Sequence, residues 1–216
     1  MPPFHIYTSM ITQFTEHALF PITVYENNIP VDQEEFGVIK SMPFERMPSD
    51  NGFYTENKEI LVLLPNTRKQ IEEHINYYVH TVLEIQNNRY KFPIQKSWVN
   101  KHTQGDEAHT HFHANSLISG VYYLSAPPNS GDIAFHRHTN HNNFLSDTFA
   151  FETNKVNERN THKYKITPKD GTLLLFPSHV RHAVEINNTW EVRYSLAFNV
   201  WVRGEFGNLE IEKLKV

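Results

Sequence analysis

Gly171–Trp201, GTLLLFPSHVRHAVEINNTWEVRYSLAFNVW, is the stretch that decides the fold. Leu173–Phe176 is a continuous apolar run of strand length, as expected for a strand buried on both faces. Pro177 and Ser178 turn the chain, His182 opens a second strand, and Val192–Val202 reads as a third. Side chains alternate along an extended chain. Val192, Tyr194, Leu196 and Phe198 therefore share one face, which should pack on the rest of the fold, and Arg193, Ser195 and Ala197 share the other. If this is a barrel strand, that second face looks into the barrel, where an unpaired charge is strongly destabilising. Arg193 then needs a partner: an Asp or Glu of this chain, or a ligand carboxylate that its planar guanidinium grips with two hydrogen bonds.

Outward from this stretch, short β-branched and aromatic segments alternate with turn residues. Ile94–Asn100, Ser119–Leu124, Asp132–His136, Tyr164–Thr167, Thr172–Phe176 and Ala183–Ile186 all read as strands. The turns PPNSG (Pro127–Gly131) and PKDG (Pro168–Gly171) punctuate them. Short strands at such spacing predict a β jelly roll. Ahead of it, Leu19–Tyr25 reads as a strand. Thr67 and Gln70 form a capping-box pattern, and Ile71, Ile75, Val79, Val82 and Leu83 recur at helical spacing. The expectation is an amphipathic helix over 67–87 in a chain that is otherwise mainly β. Residues 139–161 are polar and Asn-rich apart from FLSDTFAF, a pattern that suits either a lid or a plain surface insertion.

The chain has 216 residues, 39% hydrophobic and 20% charged, enough to bury a core in a single globular domain. It has no Cys, which excludes disulfides, a thiolate nucleophile and Cys-based metal sites. A net charge of -4 argues against a nucleic-acid partner. No apolar run reaches membrane-spanning length, and no secretory signal is visible, so the cytoplasm is the expected compartment. The many aromatic residues would permit a homodimer interface.

The composition is unusual in its 14 His, seven of them between His102 and His141. The densest run is HTHFH, His109–His113. In a strand, His111 and His113 present two imidazoles on one face, as do His109 and His111. Two neutral rings can bind a divalent metal only with a third ligand from elsewhere in the fold. His136 and His138 repeat the spacing and show how readily it arises. His5, His17, His74, His80 and His162 stand alone and read as surface or packing residues.

These segments together resemble the iron(II)- and 2-oxoglutarate-dependent oxygenases, most closely a small group of bacterial and phage proteins related to prolyl hydroxylases. The resemblance is carried by LFPITVY near the start, SWVN (Ser97–Asn100), HFHANS (His111–Ser116), SGVYYL (Ser119–Leu124), FPSHVRHAV and RYSLAFN. It implies a double-stranded β-helix, with residues 1–92 as strand and helix support, 93–203 as the jelly-roll core and 204–216 as a tail. It also implies Fe(II), with 2-oxoglutarate and O2 as cosubstrates. On this likeness His111 maps onto the first metal-binding His and His182 onto the distal one. Arg193 and Ser195 map onto the pair that holds the far carboxylate of 2-oxoglutarate, and Tyr123 onto a Tyr that often joins them.

One position departs from the family pattern. Where an Asp or Glu normally follows the first His, this chain has His113, which gives a three-His site with one less negative charge. A register of His109 with His111, or a carboxylate from Asp106, Glu107 or Asp132, is the alternative. The implied activity is hydroxylation coupled to decarboxylation of 2-oxoglutarate to succinate. The substrate is a protein, a peptide (a prolyl side chain, for example) or a small molecule, with Trp98, Asn100, Asn115, His136 and His138 around the entrance. Two further readings stand beside it: a cupin-like three-His dioxygenase or isomerase, and a jelly-roll binding module with no activity.

Overall fold

The computed structural model describes residues 14, 15, 17, 21–48, 51–86, 89–137, 152–207 and 212–216. Among them the strands are β1 (Tyr25–Asn28), β2 (Phe44–Arg46), β3 (Phe53–Thr55), β4 (Tyr90–Lys91), β5 (Ile94–His102), β6 (Ala108–His111) and β7 (Ile118–Ser125). They continue with β8 (Ile133–His136), β9 (Lys163–Ile166), β10 (Thr172–Pro177), β11 (His182–Val184), β12 (Arg193–Val200), β13 (Arg203–Phe206) and β14 (Leu214–Lys215). Two α-helices, α1 (Gln33–Lys40) and α2 (Pro65–Tyr77), precede the main run of strands.

The described strands form a seven-stranded sheet in the order β1-β10-β7-β12-β5-β3-β2 and a four-stranded sheet in the order β6-β11-β8-β9. The pairings between named strands are antiparallel. A small accessory sheet, β14-β13-β4, completes the set. This is the mainly β jelly roll expected from the sequence.

Alternation along the strands of the large sheet sorts its two faces. Val99, Tyr122, Leu124, Leu173, Leu175, Leu196 and Phe198 pack in one core with Phe36 and Ile39 of α1 and Ile71 and Ile75 of α2. Gly120 lies opposite Phe198 in the register, and a side chain there would strike that ring. Tyr123, Leu174 and Phe176 point the other way and pack with Ile133 and Phe135 of the four-stranded sheet. The layers are therefore helices, large sheet, small sheet. β10 is buried on both faces, which explains its unbroken apolar run.

Three N-terminal expectations are corrected. Leu19 and Phe20, the start of the expected first strand, lie outside the described residues, and β1 begins only at Tyr25. Its polar sequence is extended because it pairs with β10, Tyr25 opposite Leu175 through Asn28 opposite Thr172. The helix expected over 67–87 starts at Pro65 and becomes a π-helical turn over Tyr78–Val82. The Thr67 capping box is not used. Glu35 of α1 reaches across instead and accepts hydrogen bonds from the backbone N–H of Asn66 (2.7 Å) and Thr67 (2.9 Å). α1 itself was not anticipated, since eight residues give too short a window for periodicity. Its signal was local: Asp32 caps it through the N–H groups of Glu34 and Glu35.

Candidate metal centre

β6 and β11 are antiparallel neighbours, and their register sets His111 directly opposite His182. Cross-strand partners of this kind bring side chains into contact on one face. His113 lies two residues past the end of β6, where its N–H donates to the Ser178 carbonyl at 3.0 Å. One ring nitrogen from each of His111, His113 and His182 lies within 4.8 Å of the others. The ring centroids are separated by 4.4 Å (111–182), 5.3 Å (113–182) and 5.4 Å (111–113).

The other nitrogen of each ring is occupied. Nδ1 lies 2.7 Å from the His109 carbonyl in His111, 3.0 Å from the Val180 carbonyl in His182 and 2.7 Å from Asn199 Oδ1 in His113. Oxygens of these types only accept, so Nδ1 carries the proton and Nε2 keeps its lone pair. Burial, and then the neighbouring His111, pushes His182 down to about 3. Burial also lowers His113. Trp98 stacks on His113 and Phe176 meets His182 edge-on, which restricts both rings. Three neutral, oriented imidazole lone pairs suit Fe(II), and the absence of Cys disfavours softer metals.

The triad opens into a cavity of about 340 Å³ between the sheets. Trp98, Asn100 and His102 of β5, Tyr123 of β7 and Ser195 and Asn199 of β12 supply much of its lining. Arg193 is 0% exposed and adjoins this wall, directly opposite His102 in the β5–β12 register. Its Nη1 donates to the Ser130 and Gly131 carbonyls. Gly131 is required there: its φ is +95°, and a side chain would strike the Glu185 carbonyl. Nε and Nη2 of Arg193 have no partner. No described carboxylate pairs with Arg193. Asp106 is committed to Thr103, accepting from its N–H at 2.8 Å and its hydroxyl at 2.7 Å. A buried guanidinium with one edge anchored and the other bare fits a ligand carboxylate.

The alternative metal ligands lie elsewhere. His109 is 65% exposed and 3.9 Å from Glu107, and neither belongs to the ligand group. Asp106 and Asp132 are likewise absent from it. Of the expected entrance residues, Trp98 and Asn100 line the cavity. Asn115 is exposed at a positive φ, and His136 sits at the end of β8 within 3.4 Å of the Thr110 hydroxyl; neither lines the cavity. His138 and most of the 139–161 segment lie outside the described residues. Two residues of the site had not been singled out. His102 continues the two-residue period of Trp98 and Asn100, and Asn199 that of Arg193 and Ser195, so the same alternation would have found both.

Comparison with known proteins gives the same family as the sequence motifs. Residues 96–199 match the family described as "Putative 2OG-Fe(II) oxygenase". No curated protein matches the chain. A 2OG-Fe(II) oxygenase-family oxidoreductase from Burkholderia pseudomallei superposes with a TM-score of 0.54 at 14% identity, covering 82% of this chain and 83% of its own. A prolyl-4-hydroxylase from Pseudomonas putida gives 0.51 at 14% identity, covering 85% and 94%. HygX from Streptomyces hygroscopicus, solved with nickel and 2-oxoglutarate, gives 0.52 at 11% identity, covering 83% and 82%. At these identities the likeness is one of fold.

Proposed function

We propose that this chain, whose residues 96–199 match the 2OG-Fe(II) oxygenase family, is such an oxygenase and hydroxylates a carbon–hydrogen bond of its substrate with His111, His113 and His182 as the iron ligands. The observation that carries the assignment is the convergence of the three ring nitrogens within 4.8 Å, each ring oriented through its Nδ1. The iron, when bound, supplies the oxidative chemistry: O2 is split between succinate and the substrate hydroxyl as 2-oxoglutarate loses CO2.

The protein's own work is binding and orientation. His109, Val180 and Asn199 hold the imidazoles with their lone pairs facing one another. Arg193 offers Nε–H and Nη2–H to the distal carboxylate of 2-oxoglutarate, with Ser195 and Tyr123 on the adjoining wall. Its anchored Nη1 leaves the guanidinium little freedom, so little is lost on binding. Burial raises the Tyr123 hydroxyl to about 12 and keeps it a protonated donor. Phe176, Leu174 and Val121 exclude water from the inner wall. Phe112, 50% exposed, lines the cavity together with Trp98, an apolar surface suited to a peptide segment. A peptidyl side chain such as proline is the substrate class to test first. The catalytic core is read as 93–203, with 1–92 as its support.

The test is anaerobic. Fe(II) and 2-oxoglutarate added to metal-free protein should give the weak visible charge-transfer band of a chelated 2-oxo acid. Arg193→Ala should weaken 2-oxoglutarate binding strongly and leave iron content nearly intact. Iron binding without the band would favour a cupin-like three-His chemistry, the reading that the missing carboxylate ligand supports and the bare Arg193 edge opposes.

A further inference from the structure

Among the described residues, His102 is a second buried side chain with unmet polar atoms. It is 1% exposed, and neither Nδ1 nor Nε2 has a hydrogen-bond partner. Both atoms of an imidazole are seldom left so, because each unmet buried group costs the water it gave up. The ring is closely held. Gly52, at a φ of +117°, comes so near that a Cβ there would lie 2.8 Å from His102 Cδ2. His102 lines the cavity and faces Arg193 across the β5–β12 pairing. Burial, and then the Arg193 charge, holds it near 3, so it is neutral, with one N–H to give and one lone pair to receive.

The unmet groups are therefore neighbours: two N–H nitrogens on Arg193 and the two ring nitrogens of His102. Together they are complementary to one carboxylate group. We propose that His102 donates a hydrogen bond to the same carboxylate that Arg193 holds, and so helps select a dicarboxylic 2-oxo acid over a monocarboxylic one. This rests on reading the cavity as the 2-oxoglutarate site. The ring is neutral before the ligand arrives, so it adds a directed donor without a second positive charge beside Arg193. Asp106, the nearby acid, is already bonded to Thr103 and leaves the donor free.

The test is calorimetric, on the nickel-loaded full chain, and reads binding without turnover. 2-Oxoglutarate and 2-oxobutyrate, which lacks the distal carboxylate, are titrated into wild type, His102→Leu, His102→Phe, His102→Gln and Arg193→Ala. The expected result is a loss of about tenfold or more in 2-oxoglutarate affinity for the Leu and Phe variants, the size of a hydrogen bond to a charged group. Binding of 2-oxobutyrate should stay unchanged, and Gln, which keeps an N–H donor, should recover most of the loss. Two apolar variants guard against one of them failing to fold. Unchanged 2-oxoglutarate affinity in Leu or Phe, or an equal loss for both acids, overturns the role of His102. If Arg193→Ala also leaves the preference for the dicarboxylic acid unchanged, the cosubstrate reading itself falls. If Arg193→Ala abolishes that preference while His102→Leu does not, only the His102 proposal falls.

Discussion

The two faces of the seven-stranded sheet are built from alternate residues of the same strands, yet they serve opposite ends. On β12, Leu196 and Phe198 pack against the helical layer, while Arg193, Ser195 and Asn199 face inward. The helix-facing side is apolar and fully occupied. The inner side carries a guanidinium with a bare edge and a histidine with two unmet nitrogens, and across the cavity the four-stranded sheet brings the three imidazoles together. The first face makes the fold stable, and the second gives up some of that stability to be ready for ligands.

The two sides should respond separately to mutation, and loss of a metal ligand should have the largest effect. His182→Ala should abolish iron binding, measured by metal analysis after gel filtration, with little loss of metal-free stability. Phe198→Ala, on the helix-facing side of the large sheet, should destabilise the protein by about 3–5 kcal/mol in urea unfolding. Metal affinity of the folded fraction should not change. Arg193→Met should weaken 2-oxoglutarate binding by about 2–5 kcal/mol, the cost of leaving a buried charge partner unmet. The change removes two unmet N–H nitrogens but also the Nη1 hydrogen bonds to the Ser130 and Gly131 carbonyls, so the melting temperature of the ligand-free protein should change little. A fall as large as that of Phe198→Ala would show that Arg193 serves the fold as much as the packed face does.

Asn199→Leu frees the Nδ1 of His113 and should cost about 10–100-fold in iron affinity. An unchanged affinity would show that Trp98 stacking alone orients the ring. Acid gives the smallest effect per step. His102 and His182 sit near 3 when folded, against an ordinary 6.5, so between those values the unfolded chain binds protons that the native state refuses. Stability of the metal-free protein is therefore flat above about pH 6.5 and falls below it, by up to about 1.4 kcal/mol per pH unit for each such histidine. Urea midpoints across that range, compared between wild type and His102→Gln, should show a shallower slope in the variant.

The candidate site was legible in the sequence to the extent that alternation and motif spacing carry it. The strand bearing Arg193 and Ser195 and the pairing of His111 with His113 follow from a two-residue period. That His182 meets them depends on the β6–β11 register, which joins segments some 70 residues apart and which only the family resemblance pointed to. His102 escaped notice because one His at the end of a strand looks like any other; its unmet nitrogens appear only once its neighbours are placed. The N-terminal helices were misread for a similar reason. Thr67 resembled a cap, but a carboxylate from another helix had taken the post.

That borrowed carboxylate makes the two helices one unit of assembly. The first turn of α2 gains its acceptor only once α1 has docked, so neither helix end should open alone. In native-state hydrogen exchange the amides of Asn66 and Thr67 should lose protection together with those of α1, and Glu35→Gln should hasten their exchange. The clasp lies on the helix-facing side of the sheet, so α1 helps to set how firmly the helical layer holds the large sheet.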